Sequence, residues 1–388
     1  MTTRHRLPPG ARWLTLPGGD RRVELTIDTG TDPSTGRRRQ TRRRYRTAAE
    51  AIDAYAGLRT EVQRGTYVAR TSVAIGQLIV DWLSARRLSV RASTLAGYEQ
   101  ALLPVRRAFG ELPGRSLSRQ NIVDLIDELR RGGTALPGGR LSRPWKARTV
   151  NLMLFALAGV LEDAVKDGRL SRNVVAGIGR LPQPRKEFET LTADEVARVL
   201  EAATSDELEH AWHLSMYGLR RGEVAGLRWE DVDFALHRVH IRRSRVSVDG
   251  AAVSSLPKTA KGTRSLPLTV ELADALRRAK DRQRVAADVV GEAYRDSGFV
   301  VVNAIGDALH PDTLSSRWVG LLAAAGVRRV RLHDARHTCG TLLHLQGVPV
   351  AVIAAWLGHA DAAFTMRTYV HSQDDALVAA AEAMRHGL

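Results

Sequence analysis

One interruption limits what this chain can fold into. Residues 180–196 read RLPQPRKEFETLTADEV, with two prolines close together, a charged run and then a fresh helix start at Thr192. Proline removes a backbone donor and biases the residue before it away from helix, so a domain boundary near residue 185 follows. A chain of 388 residues with 44% hydrophobic content also exceeds what one core organises, and has material for two or three.

The hydrophobic period differs along the chain. RRVELTID carries Val23, Leu25 and Ile27 at period two, followed by the turn-rich TGTDPSTG and the basic RRRQTRRRYRT, which predicts a β-hairpin with one basic strand. Ala51, Ile52, Tyr55, Leu58 and Val62 then recur at helical spacing, with Thr47 and Glu50 placed for a capping box. Residues 71–184 form a series of amphipathic helices separated by Gly/Pro turns. Beyond the break, one helix is expected around 193–216, then strands with an Asp249-Gly250 hairpin turn, then helices. The expected fold is a multidomain α+β chain. It comprises a small N-terminal β-sheet plus helix (1–68), an all-helical domain (71–184) and a mixed, mainly helical domain with a small antiparallel sheet (187–388).

The charge points to a polyanionic partner. Lys and Arg total 58 against 42 Asp and Glu, giving +16. Residues 1–70 hold 15 arginines, no lysine and seven acids, so half of that excess sits in under a fifth of the chain, as suits a nucleic-acid arm. Arg37, Arg38, Arg39, Arg42, Arg43, Arg44 and Arg46 are the candidates for phosphate or base contacts, with strand alternation pointing only some of them into a groove. The lone Cys339 excludes an intramolecular disulfide framework and fits a small core residue. Without an apolar run of about 18 residues or the h-region of a signal peptide, the expectation is a cytoplasmic protein with no membrane partner. No G-x-x-x-x-G-K-[ST] loop is present, so nothing suggests nucleotide hydrolysis.

Five stretches follow in order: YGLRRGEVAGLRWEDVD from residue 217, LPKTAKGTRSLPL from 256, LHDARHTCGTLLH from 332, AAWLGHADAAF from 354 and TMRTYVH from 365. Together they resemble the tyrosine recombinases, or phage integrases, over about residues 185–388. The upstream regions match that family's usual order by weaker local signals. Physically the set suits phosphoryl transfer without a metal. Paired guanidinium donors on the nonbridging oxygens of a phosphodiester lower the barrier as charge builds there.

The resemblance implies the roles. Arg220 and Arg336 would hold the phosphate; Arg221 and Arg228 compete for the first position, and the family's Arg-x-x-Glu pattern selects Arg220 with Glu223 as its orienting carboxylate. Tyr369 would be the nucleophile. A free tyrosine has a pKa of about 10, so phenolate at pH 7 costs about 4 kcal/mol, which nearby guanidinium groups would reduce. His333 and His359 match the family's two histidine positions, for proton management and hydrogen bonding to the phosphate, with His337 as support. Lys258, preceding Thr259, matches the mobile general acid toward the leaving 5′ oxygen, and Lys261 is its near neighbour. His310, His344 and His371 carry no assigned role. Tyr217 stands where the family often has threonine, and Cys339 where it often has a larger apolar residue.

The implied reaction is integration and excision of a mobile element through a 3′-phosphotyrosine and a Holliday junction. It would use double-stranded attachment sites, a homo-tetramer on DNA, a host DNA-bending protein and a directionality factor, with no cofactor and no metal. The final helix, with Leu377, Ala380, Ala381 and Met384, would dock on a neighbouring protomer or pack on its own domain. Three other readings stand beside this one. A metal-dependent hydrolase would use His333, His337 and His344, but Asp334 replaces the expected glutamate. A noncatalytic DNA-binding regulator would bind without trapping DNA. A type IB topoisomerase would relax DNA without a paired site.

Overall fold

The structure, a computed structural model, describes residues 6–31, 38–63, 73–134, 141–184, 188–255 and 262–359. The chain divides into two compact units, Met1–Pro184 and Arg185–Leu388, with the division inside the proline-containing break.

The first unit opens with three antiparallel strands, β1 (Ala11–Thr15), β2 (Arg21–Thr31) and β3 (Arg38–Tyr45), in the order β1-β2-β3, followed by α1 (Ala48–Gln63). The hairpin expected from sequence is β2–β3. The edge strand β1 went unread, because its side chains ARWLT lack a buried alternation. Val23, Leu25 and Ile27 of β2 are buried, and Leu25 and Ile27 form a small core with Leu58 of α1. Thr47 caps α1 by accepting from the Glu50 amide at 3.2 Å, while Glu50 reaches back to the amide of Arg46 at 3.0 Å.

Register sorts the arginines of β3. Tyr45 and Arg43 lie opposite Val23 and Leu25, on the core face, where Arg43 is half-buried. Arg44 lies opposite Glu24, which lies opposite Arg12, and both guanidinium groups bind that carboxylate, at 3.3 and 2.8 Å. Arg42 and Arg46 are exposed, Arg38 pairs with Asp28, Arg39 pairs with Gly30 in the ladder, and Arg37 lies outside the described residues.

Helices α2 (Ile75–Arg87), α3 (Ala92–Phe109), α4 (Arg119–Arg131) and α5 (Ala147–Lys166) enclose a second core built on Ile75, Ile79, Leu102, Ile122, Met153 and Leu157. Ser118 and Asn121 form a capping box at the start of α4. α5 buries Val150, Met153, Leu154, Leu157, Val160 and Leu161 along one stripe, as the helical periodicity predicts.

The second unit starts with α6 (Ala193–Ala203), capped reciprocally by Thr192 and Glu195, and α7 (Glu209–Met216). The single helix expected over 193–216 is thus two, because a turn intervenes in which Asp206 accepts from the Leu208 amide at 2.7 Å. Next come α8 (Arg221–Gly226), the short β4 (Val232–Asp233), β5 (Arg238–Ile241), the hairpin β6 (Ser244–Val248) and β7 (Ala251–Ser255), and β8 (Arg264–Pro267). Asp249 and Gly250 turn the hairpin at φ 49° and 81°, the two positive angles a type I′ turn needs. Strands β4, β5 and β8 make a small antiparallel sheet. Helices α9 (Val270–Val290), α10 (Pro311–Ala324), α11 (Leu332–Leu345) and α12 (Val350–Leu357) complete the described part. The core centres on Trp212 and Trp318, both fully buried with ring centroids 5.7 Å apart.

Candidate active site

Arg220, His333 and His359 are held at helix ends, and Arg336 lies within the first turns of α11. Arg220 is the N-cap of α8. Its amide donates to Glu223 Oε2 at 2.9 Å and its Nη1 to Oε1 at 2.7 Å, so the Arg-x-x-Glu spacing forms a capping box that orients the guanidinium. Arg331 and Asp334 cap α11 in the same way, leaving Asp334 buried as a cap in the place where a zinc helix would carry its glutamate. Arg336 follows half a turn later and is 2% exposed. Its Nη1 donates to the carbonyl of Gly218 at 2.7 Å and its Nη2 to that of Leu357. Gly218 is required there: its φ is 95°, and a Cβ would lie 2.8 Å from Leu357 Cδ2.

His359 is placed by a Schellman motif ending α12. Gly358 is left-handed (φ 64°), and the amides of Gly358 and His359 donate to Ala355 and Ala354 at 3.1 and 2.9 Å. The carbonyl of Gly358 accepts Nη2 of Arg220 at 3.1 Å. Arg220 and Arg336, far apart in sequence, therefore grip adjacent carbonyls, Gly358 and Leu357, immediately before His359.

Burial, and then the surrounding cations, act on the histidines of the site. Burial, then the charges of Arg336 and Arg220, push His359 down to about 3. His337, stacked on Phe188 at 4.0 Å between ring centroids, is pushed to about 4 by burial and by His333. His333 is exposed at the start of α11, with its ring 5.1 Å from that of His337, and burial and Arg336 lower it as well. Glu223 runs the other way. Burial would raise its carboxyl, but hydrogen bonds and charge from Arg264, with Arg220 and Arg336, hold it below the usual range.

The structure brings together Arg220, Glu223, His333, Arg336, His337 and His359. It sets the competing arginines apart: Arg221 binds Asp312 and Ser315, and Arg228 lies over Phe299 and pairs with Glu230. Lys258, Lys261 and Tyr369, like the docking stripe of Leu377 and Met384, lie outside the described residues. Among the described residues no group of three or more His, Cys, Asp or Glu is placed to hold a metal ion. His310 caps α10, accepting from the Asp312 amide at 3.2 Å. Helix α11 packs against two apolar clusters. Leu332 and Ala335 enter the main core, whereas Leu343 and Cys339 pack with Ile353 and Leu357 of α12. Tyr217 stacks on Trp356 at 4.9 Å, whose indole donates to the Tyr217 carbonyl at 2.9 Å.

Two residues escaped the sequence reading. Arg264 binds both oxygens of Glu223, and Trp356 supplies a carbonyl to Arg264. Their only signal was membership of the stretches KGTRSLPL and AAWLGH.

Comparisons with known proteins bear on the family and the fold. Residues 189–376 match the model of the phage integrase family. A tyrosine recombinase XerC-like protein of Caldanaerobacter subterraneus subsp. tengcongensis is 27% identical over 330 residues, covering 80% of this chain and 82% of that protein. The ICEBs1 integrase of Bacillus subtilis is 25% identical over 353 residues, covering 90% and 92%. The structure of the Tn1549 transposon integrase in complex with transposon right end DNA superposes with a TM-score of 0.63 at 18% identity, covering 80% of this chain and 99% of that one. The part of this chain that carries the arginine and histidine cluster is a phage integrase family domain, and over most of its length the chain resembles tyrosine recombinases and integrases.

Proposed function

We propose that this chain is a site-specific recombinase that integrates and excises a mobile element. The observation that carries the proposal is the convergence of Arg220 and Arg336 on the end of α12 beside His359, with His333 one helix turn from His337. Two guanidinium groups fixed in this way offer donors to one phosphodiester, and preorganised donors gain strength as charge builds on its oxygens. The phenolic oxygen of Tyr369 attacks phosphorus, the bond to the 5′ oxygen breaks, and a 3′-phosphotyrosine and a 5′-hydroxyl result. Lys258 gives the proton that the departing oxygen needs. With neutral imidazoles, His333 and His359 donate to a phosphate oxygen or accept the phenol proton. The bond energy is kept in the covalent intermediate, so resealing requires no ATP.

Around that step we place an arm at residues 1–68, a core-binding domain at 71–184 and the catalytic domain at 187–388. Four copies hold two duplexes, and a host DNA-bending protein and a directionality factor set the outcome in the bacterial cytoplasm. Among the described candidates, Arg42 and Arg46 are exposed to meet DNA, joined by Arg38 and Arg44 through guanidinium donors not already given to Asp28 and Glu24. The family resemblance and the cationic sheet support this arrangement.

The test is a two-site plasmid incubated with the protein in EDTA without ATP. Recombinant circles that require both attachment sites support the proposal. Relaxation without recombinants supports a topoisomerase, and binding without either product supports a regulator.

A further inference from the structure

Arg264 commits all three of its guanidinium nitrogens inside the second unit. Its side chain is 7% exposed. Nε donates to the Trp356 carbonyl at 2.7 Å, Nη1 to Glu223 Oε1 at 3.1 Å and to the Gly262 carbonyl at 3.3 Å, and Nη2 to Glu223 Oε2 at 2.9 Å. With its donors turned inward, it does not touch DNA.

Its position is nonetheless ordered with respect to the two arginines that do. The carbonyls of Trp356, Leu357 and Gly358 are taken in sequence by Arg264, Arg336 and Arg220. The first two are the last carbonyls of α12, which the helix itself leaves without partners and which carry the negative end of its dipole, and the third belongs to the residue that ends it. One buried carboxylate, Glu223, is shared between Arg264 and Arg220. Without Arg264, that carboxylate would have only Arg220 as a bonded guanidinium partner, and the Trp356 carbonyl would lose its donor.

We propose that Arg264 is a positioning residue of the phosphate site. It takes most of the charge of Glu223, so that Arg220 keeps donors for DNA, and it pins the end of α12 from which His359 projects. The inference rests on the reading above that Arg220 and Arg336 hold the scissile phosphate. It assigns to β8 a role in the chemistry, made through side chains that never reach the substrate.

The experiment is single-turnover cleavage of a nicked duplex bearing the element's own attachment-site junction. Each protein's DNA affinity and thermal unfolding are measured in parallel. Arg264→Met is expected to cleave about 100-fold more slowly, the scale of a displacement of about 1 Å in a reacting geometry, with DNA affinity within about threefold of wild type. Glu223→Gln/Arg264→Met is expected to regain about tenfold over the single variant, because a neutral amide no longer competes for Arg220; an inert core ion pair would show no such rescue. Arg264→Lys keeps the charge but has one nitrogen, which cannot hold Glu223 and Trp356 together, so it is also expected to be slow. A folded Arg264→Met at the wild-type rate, or a double variant no faster than the single, overturns the proposal. If Arg264→Met fails to fold, Arg264→Lys decides: slow cleavage with normal binding supports the role and a wild-type rate overturns it. Arg220→Lys, run alongside, separates the two levels. A wild-type rate there rejects the phosphate-site reading and the inference with it. A slow Arg220→Lys without coupling between Glu223 and Arg264 rejects the inference alone.

Discussion

Replacing Arg336 with lysine keeps the cation and removes the geometry. The guanidinium donates to the carbonyls of Gly218, at 2.7 Å, and Leu357 from a side chain that is 2% exposed, and in the proposed reaction it also meets a phosphate oxygen. A lysine ammonium is a single nitrogen on a flexible stem and cannot serve two carbonyls and a phosphate together. Two charge-assisted bonds disappear at a minimum, each contributing about 1.5–3 kcal/mol. One of them, to a carbonyl, exists in the free protein, so unfolding stability is expected to fall by about 2 kcal/mol. The other strengthens as charge builds in the transition state, and losing about 2–3 kcal/mol there slows cleavage roughly 30- to 150-fold. Urea unfolding reads the first quantity and single-turnover cleavage of a nicked duplex reads the second. A lysine variant that cleaves within threefold of wild type would refute the argument that a fixed fork, and not charge alone, serves the phosphate.

Three further expectations follow from particular contacts. Gly218→Ala puts a methyl 2.8 Å from Leu357 Cδ2 at a left-handed φ of 95°. The overpacking costs about 2 kcal/mol and lowers the unfolding midpoint by about 4–8 °C, so an unchanged midpoint in calorimetry would contradict the packing described. His210 and His337, both 4% exposed, are held at about 3 and about 4, well below an unfolded value near 6.5. Below pH 6.5 the unfolded chain binds protons that the folded one refuses, so stability is level above that pH and falls below it. Each histidine removes about 2 kcal/mol or less between pH 7.5 and 5, and equal stability at the two pH values in chemical denaturation would count against their burial as neutral groups. Deleting residues 1–65 removes exposed Arg42 and Arg46, and the logarithmic salt dependence of binding to long attachment-site DNA should flatten by about 0.9 for each phosphate that the arm neutralises. An identical slope with and without these residues would reject an electrostatic arm.

Much of this was legible because local chemistry and position coincide. The Thr192 helix start, the Asp249-Gly250 turn and the alternation of Val23, Leu25 and Ile27 report their own backbone, and the structure shows each where its spacing puts it. The Arg220–Glu223 pair was reached only through the resemblance to the family's Arg-x-x-Glu pattern, and the structure gives that spacing its physical reason, since a residue and its partner three positions on share one helix start. What stayed hidden depends on distant partners. Arg264 looks like any basic residue before a strand until Glu223 and the end of α12 are folded against it. Arg43 and Arg44 are neighbours in a basic run, and only strand pairing reveals that one faces the core and the other binds Glu24. The break between α6 and α7 was missed because its apolar residues keep a helical rhythm through a turn made by Asp206.

The central claim is metal-independent attack by a tyrosine on DNA held by Arg220 and Arg336. The most direct test incubates a nicked suicide duplex carrying the junction sequence with wild type and with Tyr369→Phe in EDTA, and resolves the products on a denaturing gel. The account predicts a covalent protein–DNA adduct with a free 5′-hydroxyl from wild type and none from the variant. An adduct from both proteins would assign the attack to another residue, and no adduct from a wild type that binds the duplex would contradict the claim.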